Sequence, residues 1–385
     1  MRTSSLRAFG PSFVALWWFY FLSFVAGFLL FPVVPLHLRD LGAAIAESGR
    51  FQSAFWIGSG LGCLISGPLG DRVGQRPLLI WSTLAAAGFF ATYAFLPVRW
   101  AFFLLAPLHG LMWSALRTGA LAWVGGSLAL ERRSEGLALF GMAAPAGVAI
   151  GPLVGVWLYP RVGFRVICLT FTVVLLGLFA MIRKLPGGER VDTEPRPGFG
   201  WPESWVLLPA LITFLLGFGD GPMAPYSAQE ARGLGLFWPS AYLTCFALGM
   251  VGIRFLLGVL GRGLSPARLI PVTLGLALVG NTLLAALPGG QVRHIVSGLT
   301  YGAGFGMTQT LMFTHVISLA QGERRGAAVG ALYFAFDAGV ALGSLGLGWV
   351  MQAAGFRWGW GVGAMLVVPA LLLSFRLGRP APAAA

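Results

Sequence analysis

The chain has 385 residues, 57% of them hydrophobic and only 10% charged, with a formal net charge of +13. Its mean hydropathy is +0.80, and so little polar surface cannot enclose a water-soluble core of this size. The basic residues are scattered through short segments without a basic stripe and interleaved aromatics, which argues against nucleic acid as a partner.

Twelve apolar segments of bilayer-spanning length follow in order: 10–37, 50–70, 77–97, 100–128, 136–159, 164–183, 205–228, 236–260, 267–288, 293–320, 327–351 and 358–376. The spans are expected to be helices, because they lack the alternation of a membrane barrel. The fold class is therefore all-α integral membrane. The N-terminal run from Pro11 to Leu36 is longer than a signal-peptide core and is read as a retained span. Lys184 to Ser204 is the longest polar stretch, with Gly187-Gly188, Pro195, Pro197 and Pro202 among its residues, and is read as a cytoplasmic linker. It divides the chain into bundles at 1–183 and 205–385, with 184–204 between them.

The two halves repeat one another. Glu131-Arg132-Arg133, Ala146-Gly147-Val148-Ala149 and Gly163-Phe164-Arg165 return 192 positions later as Glu323-Arg324-Arg325, Ala338-Gly339-Val340-Ala341 and Gly355-Phe356-Arg357. At an offset of 190, Gly27-Phe28, Pro32 and Pro35 recur as Gly217-Phe218, Pro222 and Pro225. Duplication of six spans in an apolar chain is one route to a transporter with a path between two bundles. On the side of the termini, the segments hold sixteen Arg or Lys, against eight on the other. This bias predicts both termini in the cytoplasm of a bacterial inner-membrane protein. Cys63, Cys168 and Cys245 have no metal-ligand spacing, so neither metal nor cofactor is expected.

Between spans 2 and 3 lies Gly67-Pro68-Leu69-Gly70-Asp71-Arg72-Val73-Gly74-Gln75-Arg76. It is similar, at every fixed position, to the G-x-L-x-D-R-x-G-x-R signature of the major facilitator superfamily. The resemblance implies two homologous six-helix bundles and alternating access. It also implies a cytoplasmic latch in which Asp71 meets the start of span 11, near Gly326–Val329. Physically, Gly67 permits close helix contact, Gly74 a tight turn, and Arg72 and Arg76 pairing with carboxylates or helix-end carbonyls. The second copy retains Gly258, Arg262 and Arg268 but no acid, so the latch is expected to be asymmetric. In span 5, Gly147, Gly151, Pro152 and Gly155 resemble a motif of proton-coupled exporters, with Val156 in place of its last glycine. The copy at Gly339 and Gly343 suggests that this face meets span 11.

Ionisable groups inside spans are costly and suggest roles. Arg117 in span 4 is a candidate for an anionic substrate group, and its repeat partner is Gln309. Trp113 and Trp17 are further cavity candidates, since the resemblance implies that spans 1, 4, 7 and 10 surround the cavity. Asp220, within Gly219-Asp220-Gly221-Pro222, stands where the first half has Leu30, and a broken helix is expected there. Asp337 replaces Pro145. Both acids are proton-coupling candidates. Arg254 is expected to pair with an acid such as Asp337. His109 is read as a packed polar residue, and His37, His294 and His315 lie near span ends.

Against the resemblance, span 1 has no acid, and Pro107 stands about where the family places an arginine. Together these features predict a monomeric, non-enzymatic secondary transporter exporting a small amphiphilic or apolar compound in exchange for protons. A sugar, metabolite or organic-anion carrier is the alternative within the fold, and a non-transporting receptor or assembly factor is the alternative outside it. A membrane-embedded enzyme would need a His, Asp or Ser cluster at one depth, and none is evident.

Overall fold

The structure is a computed structural model, and it describes residues 9–129, 132–185, 203–260, 265–319 and 325–377. Most of the linker, residues 261–264 and Glu131, Glu323 and Arg324 lie outside these, as does the Pro-Ala tail.

The described residues form helices and turns without a strand. In the first half these are α1 (Pro11–Asp40), α2 (Ile45–Val73), α3 (Gln75–Tyr93), α4 (Arg99–Ser127), α5 (Arg133–Phe140) and α6 (Ala143–Lys184). The second half holds α7 (Leu207–Asp220), α8 (Met223–Gly233), α9 (Ala241–Leu260), α10 (Pro266–Ala286), α11 (Gln291–Leu319), α12 (Arg325–Ala354) and α13 (Phe356–Ser374). Spans 5 and 6 are joined in α6, which bends at Gly163, whose φ is +77°. Gly355, its repeat partner, has φ +93° ahead of α13. Both turns need a backbone conformation that side chains disfavour, which explains why glycine stands at both. Span 7 is broken as expected: α7 stops at Asp220 and α8 resumes at Met223 beyond Gly221 and Pro222.

Six stretches are long and apolar enough to cross a membrane by length and composition, among them Pro11–Asp40 and Phe356–Ser374. The others are shorter, bent or more polar. Their outward faces are oily: Phe255 is 72% exposed, Met365 71% and Val173 69%. Such a surface is stable against hydrocarbon and not against water.

The chain forms two compact units, 1–43 with 50–199, and 44–49 with 200–385. In the first, α1 packs chiefly on α6, and α3 on α4 and α6. In the second, α7 packs on α12, and α10 on α11 and α13. Glycines at matching positions make these approaches. A Cβ on Gly58 or Gly110 would overlap the backbone of the facing helix in the α2–α4 pair. Gly249 and Gly302, their counterparts at offsets of 191 and 192, do the same between α9 and α11. Without a hydrophobic drive between helices in lipid, such backbone proximity is a main source of packing energy.

The exporter-like glycines obey the same logic, and the expected partner of span 5 is corrected here. A Cβ on Gly147, Gly151 or Gly155 would meet Phe24, the Val25 carbonyl oxygen, or Leu29 and Val33, all on α1. Gly339 and Gly343 face Phe214 and Phe218 of α7 in the same way. Each copy seats its helix against the first span of its own unit. Pro152 is buried inside α6 beside these glycines.

Candidate functional site

The signature between α2 and α3 is a tight corner. Gly74 has φ +92° and separates Val73 from Gln75. Arg76 donates from Nη2 to the Arg183 carbonyl oxygen at 2.8 Å. That contact caps a helix end where carbonyls lack partners and the helix dipole is negative. A Cβ on Gly67 would meet nothing within 4 Å, so the close contact expected of that glycine is absent from this structure. Arg72 is exposed, and the Asp71 side chain lies outside the described residues, as do Arg262 and the surroundings of Gly258 and Gly326.

In the first unit, Arg117 is 6% exposed on α4. Its Nη2 donates to Cys63 Sγ at 3.1 Å, and Ser114 Oγ donates to the same sulfur at 3.3 Å. Trp113 is buried against Phe24, with centroids 4.8 Å apart. Its ring lies where a Cβ on Gly27 would be, so it belongs to the core of the unit. Trp17 is half-buried, donates from Nε1 to the Leu139 carbonyl at 3.1 Å and stacks on Phe21. His109 is buried against Phe89, with Tyr93 Oη 3.4 Å from its Nδ1. At the end of α1, Tyr159 donates to Asp40 Oδ2 at 2.6 Å, and His37 Nδ1 lies 3.2 Å from the Tyr159 oxygen.

The second unit concentrates the buried polar chemistry. Asp220 is the last residue of α7 and is half-buried. The phenols of Tyr301 and Tyr242 stand within electrostatic reach of its carboxylate. Tyr242 donates to Met223 Sδ at 2.8 Å. Asn281 of α10 is fully buried beside Gly219, and both its amide atoms lack hydrogen-bond partners. Asp337 is fully buried on α12, the helix that packs on α7. Arg254 does not take the acid partner expected of it; its Nη2 reaches Thr310 Oγ1 at 3.3 Å. Gln309 is half-buried on α11.

Sequence reasoning missed one buried network altogether. Glu230, near the end of α8, is 5% exposed. Arg293 Nη2 donates to its Oε1 at 2.5 Å, and Trp360 Nε1 donates to its Oε2 at 2.9 Å. Arg293 also donates from Nη1 to the Leu284 carbonyl at 3.2 Å. His294 Nε2 lies 3.5 Å from Oε2. Arg293 is one of the eight basic residues weighed against the sixteen on the side of the termini, yet it is 3% exposed. The repeat held the signal, because Glu230 is the counterpart of Asp40 at the 190 offset.

A family model described as Major Facilitator Superfamily matches residues 16–344. The chain belongs to the major facilitator superfamily. Among similar proteins of the superfamily, the staphylopine export protein of Staphylococcus aureus is 23% identical over 93% of this chain and 94% of its own. The chloramphenicol resistance protein of Streptomyces lividans is 28% identical over 90% of this chain and 91% of its own. The crystal structure of a mutant of the nucleoside transporter NupG superposes with a TM-score of 0.76 at 14% identity. That match covers 96% of this chain and 100% of the other, and it supports the fold alone. The major facilitator fold is thus present as two homologous six-helix bundles, and the chain is a multi-pass membrane transporter of small molecules. This is a transporter family and not an enzyme class.

Proposed function

We propose that the chain exports a small amphiphilic or apolar compound from the bacterial cytoplasm in exchange for protons, with both termini cytoplasmic. The observation that carries the proton is the placement of Asp220 and Asp337. Both lie in the second unit, on the packed helices α7 and α12, where the first half has Leu30 and Pro145. A carboxylate among phenols and an unpartnered amide has a lower barrier to protonation than one held by a cation. α7 stops at Asp220, and Pro222 just beyond it has no backbone donor. Substrate export draws support from the staphylopine exporter and the chloramphenicol resistance protein, similar along nearly their whole length. The latch motif at Gly67, Asp71, Arg72, Gly74 and Arg76 then closes the cytoplasmic side during the cycle.

The organic-anion reading rests on Arg117, a buried guanidinium on α4. A panel in proteoliposomes separates the two. Chloramphenicol, a nucleoside and an aromatic carboxylate are each offered under an imposed pH gradient. Gradient-driven movement of chloramphenicol supports the export reading. Movement of the carboxylate alone, lost in Arg117→Gln, replaces it.

A further inference from the structure

The Glu230 network contains a mismatch that only a proton resolves. His294 Nδ1 lies 3.0 Å from the Gly290 carbonyl oxygen. A carbonyl can only accept, so Nδ1 carries the hydrogen. In the neutral ring, Nε2 then presents a lone pair, and it faces Glu230 Oε2 at 3.5 Å. The atom is buried. Two electron-rich atoms therefore face each other in a buried site, where His294 and Trp360 are both 0% exposed and Glu230 keeps 5%. Such an arrangement is unfavourable until a hydrogen sits between them.

We propose that Glu230 and His294 form a proton-binding site, in which a proton from the aqueous phase adds to Nε2 and turns the contact into a charge-assisted bond. Arg293 and Trp360 are positioning residues. They fix the carboxylate so that Oε2 stays turned to the ring, and Arg293 balances its charge when the proton leaves. The other charged groups near this end are known. Arg232 follows Glu230 on α8, and Glu47 lies on the segment 44–49 of the same unit. Ser48 of that segment accepts from Gln229 Nε2 at 2.9 Å. Arg357 of α13 is turned to the Ala285 and Ala286 carbonyls, and α10 presents the Leu284 carbonyl. Among the described residues, α9 and α12 bring no charged side chain to this end.

Functionally, the site ties α8, α11 and α13 together when occupied and loosens them when empty. This role rests on the proton-linked reading above, whereas the proton site itself does not. It adds a second proton position to the same unit, with Glu230 on the helix that follows Asp220.

The full chain in lipid nanodiscs, labelled with 15N-histidine, tests it directly, since only four histidines are present. His294 is assigned by loss of its signals in His294→Gln or, should that variant not fold, by elimination with His37→Gln, His109→Gln and His315→Gln. The expected result is an Nδ1 that stays protonated while Nε2 passes from bare to protonated as the medium is taken from alkaline to acid pH. In Glu230→Gln, Nε2 remains bare throughout. A wild-type His294 that keeps one state across that range, or that carries its hydrogen on Nε2 alone, overturns the proposal. Failure of the Asp220 reading is separate: full gradient-driven transport in Asp220→Asn removes that reading and leaves this titration in place.

Discussion

Asp40 and Glu230 occupy the same position of the repeat, at the end of the first span of each unit, and they are handled in opposite ways. Asp40 is exposed and is met by the neutral Tyr159 hydroxyl at 2.6 Å, with His37 behind it. Glu230 is sealed and is met by Arg293, Trp360 and His294. Water adds to the solvation of the exposed Asp40 carboxylate. Little water reaches Glu230, which is 5% exposed, so a full positive charge accompanies it. The counterparts of Arg293 and His294 at the 192 offset are Ala101 and Phe102. One duplicated scaffold therefore supports a solvated acid in one half and an enclosed ion pair in the other. The second unit also holds Asp220 and Asp337, so the burial of acids follows the half of the chain rather than the fold.

This contrast can be broken most sharply at Arg293. Arg293→Met leaves Glu230 enclosed without its cation, which costs about 3–5 kcal/mol for a buried pair broken on one side. Thermal unfolding in detergent should show a large loss, and Glu230→Gln combined with Arg293→Met should recover part of it. Unchanged melting in the single variant would mean that water reaches the carboxylate. Next come the matched glycines. Gly151→Ala and Gly343→Ala each push a methyl into the facing first helix. Each should lower stability by about 1–3 kcal/mol, the range for overpacking a close contact. Tolerance of either would show that its helix pair can separate. Asp40→Asn should cost less than about 1 kcal/mol, as for exposed polar pairs. A loss as large as that of Arg293→Met would erase the contrast between the halves. The smallest effect is expected at Gly67→Ala, within about 0.5 kcal/mol, because open space surrounds that position.

The fold was largely readable from the chain. Hydropathy located the spans, and the repeat predicted equivalent turns, realised at Gly163 and Gly355. The Gly221-Pro222 break was readable too, since proline removes a donor and glycine resists no distortion. What sequence could not supply was partners. Span 5 carries a glycine face, but the spacing does not say whether α1 or another helix fills it. Arg293 looked like one more loop arginine, because topology counts weigh charge and ignore depth. Glu230 and Trp360 are 130 positions apart, so their hydrogen bond exists only once α8 and α13 meet. Trp113 was placed at a cavity by analogy, whereas Gly27 makes room for it in the packed interior.

The central claim is that the second unit carries the coupling proton. Proteoliposomes containing the wild type, Asp220→Asn or Asp337→Asn are loaded with chloramphenicol. Each is assayed for transport driven by a pH gradient and for exchange without one. The account predicts that at least one variant keeps exchange and loses the response to the gradient. Full gradient-driven transport in both variants would contradict it.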